Sequence, residues 1–83
     1  MEESAVTNID LADVTIHIHE KPGHLARQQI ENRLRGLRGV VSASSHDETP
    51  HLLVVEYNPV EVDSQVLLAC VKDLGVHAEL IGL

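Results

Sequence analysis

Aromatic side chains are almost missing from this sequence: it has no Phe and no Trp, and Tyr57 stands alone. Any core must therefore be aliphatic, assembled from Val, Leu, Ile and Ala. Cysteine is nearly absent too. Cys70 has no second thiol to pair with, so an internal disulfide is excluded and a reducing, cytoplasmic setting is expected. Positive charge is scarce: six Lys and Arg stand against 13 Asp and Glu, a formal net charge of −7. Such a surface repels phosphate backbones, which argues against nucleic-acid binding. No apolar run approaches the length of a bilayer span, so direct membrane insertion is not expected. Met1-Glu2-Glu3 is the wrong start for a signal peptide.

What is present fits one small domain of 83 residues, near the size at which a single core just suffices. Ile16 and Ile18 alternate with Thr15, His17 and His19, which predicts a strand over 13–19 with one buried face. After Pro22-Gly23 the period changes. Ala26, Ile30, Leu34 and Leu37 recur at helical spacing, predicting a helix over 24–38 with Gly39 as its C-terminal glycine. A weaker strand over 40–45 follows, in which Val40 and Ala43 can face inward, and 46–50 is a polar turn.

The segment 51–57 is the strongest strand, ended by Asn58-Pro59. Asp63 or Ser64 can cap a second helix that runs to about Leu74, with Leu67, Cys70 or Val71, and Leu74 inward and Gly75 as its stop. A last strand covers 76–81. Residues 1–12, acidic and weakly patterned, read as a flexible lead-in to a domain over 13–83. The element order is the split βαβ: an α+β, ferredoxin-like βαββαβ sandwich with two helices on one face of a four-stranded antiparallel sheet.

Several of these residues carry a resemblance. Ile30-Glu31, Leu34, Leu37 and Gly39-Val40 resemble the first helix of the heavy-metal-associated domains found in copper chaperones and metal-transporting P-type ATPases. Tyr57-Asn58-Pro59 is similar to that family's Tyr-Asp-Pro. The spacing of Leu68, Val71, Leu74, Gly75 and Val76 resembles its closing helix, so the likeness spans roughly 13–81. Family members carry Gly-Met-x-Cys-x-x-Cys before the first helix; the two cysteine positions fall here on Gly23 and Ala26. The resemblance implies a metallochaperone-like scaffold whose Cys-x-x-Cys is degenerate.

In that topology the first connection, the hairpin turn and the last connection gather at one end. His19, His24, His46, His51 and His77 map there, while His17 lies one strand step down on the open sheet face. Imidazole suits zinc, nickel(II) and copper(II), whereas thiolate selects copper(I). His19, His24 and His77 are therefore candidate ligands for a divalent transition metal, with Glu20 as an oxygen donor. His17 and His19 point the same way, roughly 6–7 Å apart at Cα by strand geometry, a spacing that allows chelation but that any alternating strand provides. Lys21-Pro22-Gly23 could hold an anion at a helix start, but an ordinary glycine cap with a solvated lysine is the favoured reading.

Two surfaces are candidates for protein contacts. Lys21, Arg27, Arg33, Arg35 and Arg38 concentrate the positive charge on the first loop and helix, and Arg27, Arg35 and Arg38 could dock an acidic partner. The alternative is a solvated face favoured by the helix dipole. Leu52 and Val54 face outward beside His17 if Leu53, Val55 and Tyr57 turn inward, which would suit self-association. Cys70 behaves as a small buried hydrophobe, and with no nucleophilic triad to assemble, an enzyme is not expected. Three functions remain: a metal-free interaction or regulatory module in a metal-handling context, a histidine-based metal carrier or sensor, and the regulatory domain of a larger transporter.

Overall fold

The computed structural model describes residues 10–81 of the chain. Six elements follow in order: β1 (Ala12–Ile18), α1 (His24–Arg35), β2 (Val40–His46), β3 (Thr49–Tyr57), α2 (Ser64–Lys72) and β4 (Ala78–Ile81). The strands form one antiparallel sheet in the order β2-β3-β1-β4. This is the split βαβ arrangement expected from the element order. Most of the lead-in expected over 1–12 lies outside the described residues, and its end, Ala12, opens β1.

Alternation builds the core. Val14, Ile16 and Ile18 on β1 and Leu53, Val55 and Tyr57 on β3 all turn to one side of the sheet and are buried. Ile30 and Leu34 of α1, with Leu67, Cys70 and Val71 of α2, close over them. Burying each such aliphatic side chain contributes about 1.5–3 kcal/mol. Val40 and Ala43 are an odd number of residues apart, so a regular strand could not turn both inward. A bulge resolves this: Val40 pairs with Tyr57 and Ser42 with Glu56, leaving Val41 as the extra, exposed residue.

Element ends differ from the sequence expectation in physically simple ways. Helix α1 stops at Arg35 rather than 38, because Gly36 is a poor helix former and the chain tightens through Leu37 N–H to Leu34 O at 3.0 Å. Gly39 is not the cap; it turns the chain into β2 with φ +96°. Helix α2 is capped by Asp63, whose Oδ1 accepts from Gln65 N–H at 2.8 Å and Val66 N–H at 3.1 Å. It ends at Lys72, short of Leu74, and β4 begins only at Ala78. Strand β3 starts earlier than expected, at Thr49. Pro50 is tolerated there because the pairing of β3 with β1 stops at Leu52.

The two positive-φ glycines differ in surroundings. A Cβ at Gly39 would lie 2.9 Å from Glu61 Cβ and 2.9 Å from Val62 Cγ1, whereas one at Gly75 (φ +93°) meets nothing within 4 Å. Gly39→Ala should therefore cost about 2–5 kcal/mol, backbone strain plus overpacking, and Gly75→Ala only about 1–3 kcal/mol of strain. Urea denaturation of both variants checks the order.

Candidate functional site

The connections expected to gather do meet at one end of the sandwich, but they do so in two separate polar groups. The first joins α1 to the β2–β3 hairpin. Strand β2 is rich in serine and offers little apolar surface to the helix, and a polar seam takes the place of the missing aliphatics. Arg27 is its centre, only 7% exposed. Its guanidinium donates to Pro22 O at 3.0 Å and Ser45 Oγ at 3.2 Å, and it pairs with Asp47. Ser45 Oγ in turn donates to Glu31, which also accepts from Arg35 at 3.3 Å, and Arg35 reaches Ala43 O at 2.7 Å. His24 Nδ1 donates to Asp47 Oδ1 at 3.3 Å. That hydrogen bond and the Arg27 charge hold the Asp47 carboxyl below the usual carboxylate range.

This seam borders a polar cleft of about 250 Å³ lined by His24, Arg27, Gln28, Glu31, Ser45, His46 and Asp47. Its charged groups are largely committed to one another. Arg27, expected to face a partner, spends its guanidinium inside the fold; Arg35 is half-exposed but tied to Glu31 and Ala43 O, and Arg38 is exposed, beside Glu61 at 3.4 Å. A buried arginine was not foreseeable from helical periodicity. The usable signal was β2 itself, since a strand of Ser42, Ser44 and Ser45 cannot anchor a helix by apolar contact.

The second group lies at the opposite edge. His77 N–H donates to Glu20 Oε1 at 2.9 Å and His77 Nδ1 to Glu20 Oε2 at 2.7 Å. The ring hydrogen bond, then the backbone one, pulls the Glu20 carboxyl down from 4.5 to about 2. His19 N–H bonds His77 O at 2.8 Å, so the two backbones touch, yet the His19 ring turns to Glu79, with Nε2 3.7 Å from Oε2. The rings of His19, His24 and His77 thus go to three different carboxylates. The reason is topological: the hairpin of β2 and the start of β4 lie at the two edges of the sheet, about 14 Å apart at three strand spacings.

The open face of the sheet carries the remaining candidates. Leu52 is half-buried and Val54 is 43% exposed, opposite His17 and Thr15 of β1 as expected. Where the resemblance puts cysteine thiolates, Gly23 caps α1 without a side chain. Ala26 lies in a shallow groove with Pro22, Gln29, Ile30, Leu74 and Val76. The one thiol, Cys70, is buried in the core. Among the described residues, no helix is long and apolar enough to cross a membrane.

No family model and no curated protein matches the sequence. Solved structures do match the fold. The N-terminal domain of a potential copper-translocating P-type ATPase from Bacillus subtilis, in the Cu(I)-loaded state, superposes with a TM-score of 0.79 at 27% identity, covering 88% of this chain and 90% of that one. Oxidized MerP from Ralstonia metallidurans CH34 gives 0.78 at 16% identity over 88% of this chain and all (100%) of that one. A copper binding domain from the P-type ATPase HMA7 gives 0.77 at 18% identity over 84% and 93%. The chain has the heavy-metal-associated fold.

Two consequences are measurable. Arg27→Met should lose about 2–3 kcal/mol, since hydrogen bonds to charged groups go with it, whereas Arg38→Met should stay within about 0.5 kcal/mol; urea denaturation compares them. The Glu20 carboxyl is more acidic folded than unfolded, so its stabilising contribution is present above about pH 4.5 and is lost as pH falls toward about 2. Glu20→Gln should accordingly be less stable than the parent at neutral pH. The two stability curves should converge between those values, as followed by circular dichroism.

Proposed function

We propose that this chain is a non-enzymatic docking module that keeps the heavy-metal-associated scaffold without its thiolate site and acts within a metal-handling system. The copper named for two of the neighbouring structures calls for soft sulfur donors in its Cu(I) form, and Gly23 and Ala26 supply none. What supports a contact role is the open sheet face. Val54 at 43% and Ile81 at 37% exposure sit with Thr15 and Leu52 in the middle of a sheet that has helices on its other side only.

The occupant of that face is a second copy of the chain. At one end of the apolar centre stand His17 and His19; at the other, Asp13 and Glu56 lie directly opposite each other in the β1–β3 register. Like charges opposed across a ladder repel, and a partner bearing imidazoles relieves that repulsion. Two copies stacked face to face about a two-fold axis parallel to the sheet and perpendicular to its strands place the histidine end of each over the acidic end of the other. The patch is therefore self-complementary, as an isologous contact requires.

The other reading, one divalent site made by His19, His24 and His77, finds no support in rings that turn apart toward Glu79, Asp47 and Glu20 rather than toward one point. The non-enzymatic reading is supported by the enclosure of Cys70 in the core, away from every histidine-bearing loop. Sedimentation equilibrium tests the contact. The parent chain should dimerise and Val54→Lys should be monomeric with unchanged circular dichroism. A parent that stays monomeric at its solubility limit, or a lysine variant that dimerises equally well, refutes the proposal.

A further inference from the structure

Three donors on the open face remain outside both hydrogen-bonded groups at the loop end. Alternation on β1 turns His17 and His19 outward on the same face, and the β1–β4 register sets Glu79 opposite His17. His17 Nδ1 and His19 Nε2 each lie 3.7 Å from the same oxygen, Glu79 Oε2, with ring centroids 5.3 Å apart. One donor atom from each of the three residues lies within 4.8 Å of the others, a grouping found at no other place among the described residues. From this juxtaposition we infer a divalent transition-metal site on the open sheet face, formed by His17, His19 and Glu79.

The distances separate this cluster from an ordinary histidine–carboxylate pair. Glu20 and His77 close to 2.7 Å, and Asp47 and His24 to 3.3 Å. Glu79 closes on neither of its imidazoles, and 3.7 Å is too long for a hydrogen bond. Ligands about 2.0–2.1 Å from a tetrahedral zinc are about 3.3 Å from one another, so each histidine needs to close on Glu79 by only a few tenths of an ångström, with the two imidazole donors already within 4.8 Å of each other. His17 Nδ1 is a second, independent sign. It is shut off from solvent and has no hydrogen-bond partner, an uncommon state for a buried polar atom, and it faces the point where an ion would sit.

His51 backs the site. Its Nδ1 lies 3.1 Å from Ile18 O and 3.0 Å from Glu20 O. Carbonyl oxygens only accept, so the proton is on Nδ1 and the ring is anchored to the chain. Its face stacks on His17 at 5.8 Å and 29°, which restrains the His17 ring. Two imidazoles and one carboxylate suit zinc(II), nickel(II) or copper(II) rather than copper(I). The half-exposed rims of His19 and Glu79 leave a coordination position open to water or to an incoming donor.

The site shares His17 and His19 with the docking face but does not depend on a dimer, since all three ligands come from one chain. Zinc chloride titrated into the parent protein should shift the His17 and His19 ring resonances and the Glu79 amide together, leaving those of His24 and His77 in place. It should also raise the melting temperature. His17→Ala and Glu79→Gln should each weaken zinc binding about tenfold or more, at least what loss of a mere outer-shell partner costs, and should abolish the thermal shift; His24→Ala should bind as the parent does. Zinc shifts centred on His24 or His77, or no shift at millimolar zinc, overturn the inference. A Val54→Lys monomer that still binds zinc would leave this site standing and separate its fate from that of the dimer.

Discussion

The alternation of β1 is the constraint on which the molecule rests. Val14, Ile16 and Ile18 fill the centre of the core, while Thr15, His17 and the following His19 are carried to the other side. Side chains on a strand repeat every two residues, so a slip of one would bury the histidines and expose the aliphatics together. The core thus fixes the register, and the register fixes which polar groups face Glu79 on β4 and Leu52 on β3. With one aromatic residue in the chain, no single large side chain can do this. It falls to a set of small aliphatics acting in unison.

Electrostatics then decide how the loop end is spent. A carboxylate beside a histidine can close into a hydrogen bond or stand off from it, and both outcomes occur here. Asp47 and Glu20 close, each becoming more acidic as a result, and each ties a connection to a neighbouring element: hairpin to α1, first loop to the entry of β4. These ties reinforce a domain too small for its core to hold every loop. The same closure commits Nδ1 of His24 and of His77 and fixes each ring's direction, toward Asp47 on one edge and Glu20 on the other.

Much of this was legible in the sequence. Strict periodicity gave the strands, the helices, most of their inward residues and the outward placing of Leu52 and Val54 beside His17; Ala26, first in the helical stripe, is exposed instead, and Arg27 next to it is buried. Helix ends were less legible, since Gly36 and Gly39 are both plausible stops and only the approach of Gly39 to Glu61 and Val62 distinguishes their roles. Arg27 was read as surface because charge argues for exposure, while its burial depends on Ser45 and Asp47, 18 and 20 positions away. The histidine cluster was half legible. His17 and His19 follow from alternation on one strand, but Glu79 joins them only through the β1–β4 register, which no local pattern encodes.

The first loop and the open sheet face offer a ligand different electrostatic settings. A helix start is electropositive and stabilises anions such as thiolate, so it gives a neutral imidazole no comparable help, and His24 turns instead to Asp47. On the sheet face there is no helix end, and the charge to compensate the proposed ion would come from a side chain, Glu79. An ion held there would also leave the histidine end of the face more positive, and so a better match for Asp13 and Glu56 of a second copy. Ligand chemistry and contact surface would then be coupled through one strand register, with the helices serving only to hold that register in place.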